Sequence, residues 1–299
     1  MDKQNPAPGV YRDTSWACYV ESSAANNSWL RRLERSPAHY RHHSTHDRED
    51  TTAFKFGRLV HCGVLEPDTL ARRYVVRPDF TELVTLKDGT KPANPRATKQ
   101  YRELVAEFNS QNAGREILDP AEWEEMEAVC AAVQREAGDL FKSGAAEVVV
   151  VWDDAETGMR CKARLDWVDW ERKRIVDLKT TRDAAEFEQS LGRYRYDRQA
   201  AFYLDGLRAC GYEVEEFWFC CVESSAPYGV RAAPCCEQTI KHGRARYREA
   251  RQLLAECRKK NKWPGYSSPT HWRLPTWARN GLYLETDGVE KVLERKAAQ

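Results

Sequence analysis

The residues best suited to chemistry lie between positions 160 and 205. Asp177-Leu178-Lys179 sits inside the run Ile175–Thr181. In a strand, side chains alternate between faces, so Asp177 and Lys179 project together, roughly 7 Å apart by strand rise. Val176 and Leu178 then face a core. Asp166 lies on the preceding run, Arg160–Trp170, which the charged turn Glu171-Arg172-Lys173-Arg174 folds back alongside. Two carboxylates and one ammonium thus converge on one side of a hairpin. Such a set suits a hard divalent cation, Mg²⁺ with Mn²⁺ as a substitute, because these ions bind carboxylate oxygens and keep positions for water and phosphate. A bound cation lowers the pKa of its water and neutralises charge on a phosphodiester. A neighbouring ammonium orients that water or balances the developing charge. D-x-K by itself is common by chance and favours an exposed salt bridge, so the triplet needs company.

Three further positions supply it. Gln199 and Tyr203 stand four residues apart on a helix, hence on one face, and both can support a phosphate or a lysine. His61 lies in the apolar stretch 53–66, four residues after Gly57. It reads either as a satisfied core histidine or, facing the carboxylates, as a metal ligand. Glu147 opens a valine run and is either a solvated strand end or a further group of the same site.

The elements that must position these groups follow from pattern. Glu147–Asp153, Arg160–Trp170 and Ile175–Thr181 predict three consecutive antiparallel strands, and Val214–Glu223 a fourth. Asp119-Pro120-Ala121-Glu122 is a helix start with a capping box, and Met126, Val129, Val133, Ala137 and Leu140 continue it to about Lys142. Helices are also expected over 22–34, 53–66, from about Asp197 to Ala209, over 238–260, and weakly over 288–297. Residues 1–24 read as an irregular arm, His39–Asp50 and Gly192–Asp197 as irregular loops, and 77–100 as an extended excursion broken by Pro78, Gly89, Pro92 and Pro95. The fold class is mixed α/β (α+β).

Composition bounds the rest. The chain has 299 residues, 41% hydrophobic and 31% charged, with 47 Lys and Arg against 46 Asp and Glu. That balance excludes a globally basic nucleic-acid binder but allows a local basic face. Lys241–Lys262 carries nine basic residues and two acidic ones. It reads as a solvated helix face or as a DNA-contact helix using Arg244, Arg248 and Arg251. No run of apolar residues is long enough to span a membrane. The first 20 residues show no secretory pattern, so the ten cysteines are expected as reduced thiols in a cytoplasm. With no C-x2-C spacing, an iron–sulfur cluster is not expected.

The order Gly57-x-x-x-His61, Asp166, Asp177-x-Lys179, Gln199-x-x-x-Tyr203 resembles the PD-(D/E)xK nuclease superfamily of the RecB and lambda-exonuclease kind. The flanks Ser36-Pro37-Ala38-His39-Tyr40, Phe56–Pro67, Thr157–Arg164 and Gln199–Gly206 are similar to RecE-type (exodeoxyribonuclease VIII-like) phage and prophage exonucleases. The likeness covers about residues 25–265, leaving 266–299 as a tail. It implies a restriction-endonuclease-like core, a central mixed sheet flanked by helices. It implies metal binding by His61, Asp166 and Asp177, an attacking water assisted by Lys179, and support from Gln199 and Tyr203. Glu147 is a weaker carry-over as a metal ligand. Leu165 departs from the proline usual before the first aspartate, a position that shapes the strand and does no chemistry. The likeness further implies degradation of one strand of duplex DNA from its 5′ end to leave 3′ tails. A ring-shaped homo-oligomer and a single-strand annealing recombinase as partner are implied too. A RecB-like or endonucleolytic enzyme of other polarity stays open, as does a DNA-binding or assembly module that has lost its chemistry.

Overall fold

The computed structural model describes residues 6–43, 51–268 and 271–272, with the backbone of 283–284 and 291–292. Met1–Trp263 and Pro264–Gln299 are separate compact units. In the first, chain order is β1 (Gly9–Tyr11), α1 (Trp16–Glu21), α2 (Asn27–Arg35), α3 (Pro37–His43), α4 (Thr52–Leu65), α5 (Leu70–Arg73), β2 (Tyr74–Val76), α6 (Lys99–Gln111), β3 (Glu116–Leu118) and α7 (Pro120–Ala137). Then come β4 (Ala145–Asp153), β5 (Arg160–Asp169), β6 (Arg174–Thr181), α8 (Phe187–Tyr194), α9 (Tyr196–Ala209), β7 (Glu216–Glu223), β8 (Val230–Pro234) and α10 (Glu237–Lys260). The described part of the second unit holds one short antiparallel ladder, β9 (Tyr283–Leu284) with β10 (Lys291–Val292). Of the helix expected over 288–297, these two described positions of β10 are strand; the others lie outside the described residues.

The central sheet is mixed, with order β1-β4-β5-β6-β7-β8. β4, β5 and β6 are the predicted antiparallel meander, and β7 runs parallel to β6. A parallel neighbour requires a crossover, which α8 and α9 supply. Both faces are covered. One carries Leu30 and Leu33 of α2, Phe202 and Leu204 of α9, and Leu254 of α10 over Leu165, Ile175 and Phe217. The other carries Leu59 and Val60 of α4 and Met126, Val129 and Val133 of α7 over Val176, Leu178 and Cys220. The β6 alternation is therefore as read from sequence: Val176 and Leu178 pack on the α4–α7 face, and Asp177 and Lys179 have the parity of the α9 face. Adjacent Cys220 and Cys221 fall in opposite cores for the same reason.

Four expectations are corrected. The first 24 residues are not wholly irregular. β1 pairs antiparallel with β4, and the Ala25 N–H donates to the Arg160 carbonyl at 2.9 Å, so this segment closes one edge of the sheet. Of the loop expected over His39–Asp50, residues 39–43 belong to α3, which Ser36 starts by accepting the His39 N–H at 3.2 Å, and 44–50 lie outside the described residues. The break between α8 and α9 shrinks to Arg195, whose left-handed φ of 60° turns the chain in one residue. The excursion 77–100 holds two 3₁₀ turns and leads into α6. At Asp119 the capping box forms, with the Glu122 carboxylate accepting the Asp119 N–H at 2.9 Å.

Helices α9 and α10 approach closely because Gly243 has no Cβ. One added there would lie 2.0 Å from the Asp197 carbonyl oxygen. No helix among the described residues is long and apolar enough to cross a membrane.

Lys162 of β5 ties the N-terminal segment to the sheet. It is buried, with its ammonium donating to the Tyr19 carbonyl and, at 2.7 Å, to the Ser22 carbonyl. Among the described residues no carboxylate faces it, and burial lowers its pKa to about 8 from an ordinary 10.5. The cost of that buried charge is fully present below pH 8. Between there and 10.5 the unfolded chain binds the extra proton, so this residue's contribution makes stability rise with pH. Urea unfolding across that window should show wild type gaining on Lys162→Met as pH increases.

Candidate active site

The site is built where two strands part. The β5–β6 ladder pairs Asp169 with Arg174, Val168 with Ile175 and Trp167 with Val176, then stops. The next pair in register would be Asp166 and Asp177. Beyond this point β5 continues on β4, and β6 on β7. Separation leaves the Leu178 N–H without a strand partner, and the Asp166 carboxylate accepts it at 2.9 Å. A buried amide is thus satisfied by a side chain instead of a carbonyl.

Asp177 is 1% exposed. One carboxylate oxygen accepts from the Lys179 ammonium and the other from the Gln199 amide of α9. His61 arrives from α4, on the opposite face of the sheet, with its Nδ1 3.7 Å from Asp166 Oδ2. The groups therefore gather in the fork between strands, supported from both faces, and not on one side of a hairpin.

Glu147 of β4 completes the carboxylate set. The β4–β5 ladder pairs Ala146 with Trp167 and Val148 with Leu165, which places Glu147 opposite Asp166 without a ladder pair. Its φ is 53°, a left-handed conformation that costs a non-glycine residue about 1–2 kcal/mol. Its carboxylate pairs with the Arg164 guanidinium, which lies 5.2 Å from the centre of the Trp16 ring.

Electrostatics follow from burial and crowding. Burial raises the pKa of Asp166, against the pull of Lys179 and the Leu178 N–H. Burial and then Asp166 raise Glu147. Asp177 is pushed up to about 6, since burial and Asp166 outweigh the ammonium beside it. Lys179 is disfavoured as a cation by burial, but Asp177 and Asp166 dominate and hold it charged. Burial, then Lys179, lowers His61, which keeps the imidazole neutral with a lone pair to donate.

Tyr203 packs beside Phe217, centroids 6.2 Å apart. Burial holds its hydroxyl protonated, with Tyr19, Asp177 and Asp166 adding to the effect. Among the described residues it forms no hydrogen bond with the carboxylates, unlike Gln199 on the same helix face.

The donor chemistry fits a divalent cation. A neutral imidazole and crowded carboxylates, all costly as anions in this fork, are relieved by positive charge. Among the described residues no three of these side chains surround one point closely enough to hold an ion as they stand. Asp177 already accepts from both Lys179 and Gln199.

Arg244, Arg248 and Arg251 are not part of this site. Arg244 makes two bonds to Asp205, at 2.7 and 2.8 Å. Arg248 lies 3.4 Å from Glu156. Arg251 is 4% exposed and pairs with Asp154 and Glu156. Asp154, one residue past β4, is seven residues from Glu147, roughly 23 Å at about 3.3 Å per residue. Arg251, expected as a DNA contact, is thus buried in ion pairs. A cavity of about 650 Å³ lies beside these pairs, lined by Trp152, Glu156, Arg208 and Arg244, away from the carboxylates.

Sequence reasoning missed Arg164 and Tyr196. Arg164 stands two residues before Asp166 on β5, a spacing that was visible. The Tyr196 ring centre is 5.0 Å from the Lys179 ammonium, a contact created by the α8–α9 turn that no local pattern announces.

A family model described as a PDDEXK-like domain of unknown function (DUF3799) matches residues 26–271. Among solved structures, the "Putative exonuclease" from Eubacterium rectale aligns with a TM-score of 0.53 at 13% identity, covering 88% of this chain and 89% of that one. A phage related exonuclease from Haemophilus somnus 129PT aligns with a TM-score of 0.30 at 12% identity, covering 61% of this chain and 93% of that one. No curated protein matches the sequence significantly.

Two outcomes test the site. Because residue 147 has a left-handed backbone, Glu147→Gly should be more stable than Glu147→Ala by about 1 kcal/mol in urea unfolding. Equal stability would contradict it. Mn²⁺ or Mg²⁺ should raise the melting temperature of wild type by mass action, and Asp166→Ala should abolish the rise.

Proposed function

The chain belongs to the PDDEXK-like family, and on that premise we propose that it is a divalent-metal-dependent nuclease acting on linear duplex DNA. The observation that supports this reading is the fork itself: His61, Asp166, Asp177 and Lys179 meet where β5 leaves β6.

His61, Asp166 and Asp177 would hold Mg²⁺, with Glu147 as a further carboxylate. The cation would supply a water of lowered pKa and charge neutralisation at the scissile phosphate. The remaining roles belong to the chain. Lys179 keeps its proton and places a positive charge against the phosphate oxygens as charge builds on them. Gln199 fixes the rotamer of Asp177 through its amide, and the Leu178 N–H does the same for Asp166. Tyr203 remains a neutral phenol that fills the wall behind them. No base-reading group is invoked, so DNA would be recognised through its backbone.

The finer reading rests on the sequence likeness to RecE-type enzymes. One strand is degraded 5′→3′, and the 3′ tails that remain are passed to a single-strand annealing recombinase. The enzyme works as a ring-shaped homo-oligomer in a bacterial or phage-infected cytoplasm, where its cysteines stay reduced.

Linear duplex DNA labelled at either the 5′ or the 3′ end tests this directly. With Mg²⁺ the 5′ label should be released first, and EDTA, Asp177→Ala or Lys179→Ala should each stop release, the variants by at least about a hundredfold. Early 3′ release or internal cutting would overturn the polarity. Intact DNA with both metals would leave a binding or assembly module.

A further inference from the structure

The α8–α9 elbow carries an aromatic and cationic rim that nothing in the active-site chemistry requires. Tyr194 closes α8 and is 37% exposed. The guanidinium carbons of Arg31, from α2, and of Arg193 lie 5.3 and 5.8 Å from its ring centre. Tyr194 leads inward to Tyr196, centroids 5.7 Å apart. Tyr196 stacks on Phe187 at 5.7 Å and 16°, and lies 5.0 Å from the Lys179 ammonium. A continuous path of rings and cations thus runs from the exposed elbow to the fork. Arg182, three residues beyond Lys179, is exposed.

Charge distinguishes this surface from α10. The α10 arginines expected to meet DNA are matched by Asp205, Asp154 and Glu156. Among the described residues no carboxylate pairs with Arg31, Arg193 or Arg182, so their charge is unspent. Unpaired guanidiniums attract phosphates. Guanidinium planes backed by a tyrosine ring, as Arg31 and Arg193 are by Tyr194, stack with bases, and every base has a face to offer. A closed duplex hides those faces in its own stack, whereas a single strand presents them.

We propose that Arg31, Arg193 and Tyr194 form a binding rim for single-stranded nucleic acid, which guides a frayed strand past Tyr196 to Lys179. This rests on the nuclease reading and names the surface by which that site would take its substrate.

The test is fluorescence anisotropy with a fluorescein-labelled oligothymidylate, in EDTA so that no cleavage occurs. Tyr194→Ala should weaken binding roughly tenfold, and Tyr194→Phe, which keeps the ring, should restore it. Arg31→Gln and Arg193→Gln should each lower the slope of log affinity against log salt by about 0.7, while Arg248→Gln on α10 leaves it unchanged. Thermal melting checks that each variant is folded. Equal affinity and slope across the rim variants, or loss through Arg248→Gln instead, would overturn the rim while leaving nuclease activity to its own assay. Rim-dependent binding by a chain that never cleaves DNA would support the rim and sink the nuclease reading.

Discussion

Everything in the site depends on β5 and β6 ceasing to pair after Trp167 and Val176. Had the ladder continued, Asp166 and Asp177 would stand as directly opposed like charges, which destabilises a strand pair. Parting the strands removes that repulsion and exposes one amide, at Leu178, which Asp166 then satisfies. The cost of opening the sheet is limited because each strand retains its other neighbour. β4 holds β5 and β7 holds β6, so a gap forms inside a sheet whose flanks stay rigid.

Into that gap the two helical layers send different chemistry. From α4 comes His61, a neutral imidazole. From α9 comes Gln199, an amide that can donate to a carboxylate without adding charge. The buried Asp177–Lys179 pair between them is costly to desolvate and is compensated by short-range attraction and the Gln199 bond. Such a centre is poorly designed for stability and well suited to accept a cation. The left-handed backbone at Glu147 has the same character, with strain held beside the carboxylates by a ladder that resumes at Val148.

Much of this was legible in the residues. The period-two alternation of 175–181 placed Asp177 and Lys179 on one face, because that period is a local property of any strand. The meander, the Asp119 cap and the long basic helix were local as well. What escaped was non-local. β1 is three residues long and gains its identity only from pairing with β4. The gathering of Asp166 and His61 in a fork depends on where a ladder stops, which alternation does not encode. The basic face of α10 looked available because its partners are far away in sequence, Arg251 and Glu156 being 95 residues apart. The α8–α9 elbow turns on one left-handed residue, Arg195, that carries no glycine signal.

The proposed function requires this fork to bind a divalent cation. Anomalous diffraction from crystals soaked in Mn²⁺ tests it most directly. An anomalous peak is expected between Asp166 and Asp177, within bonding reach of His61, with the Lys179 ammonium withdrawn from Asp177. A fork that stays free of manganese at saturating concentration, with the Asp177–Lys179 pair intact, would contradict it.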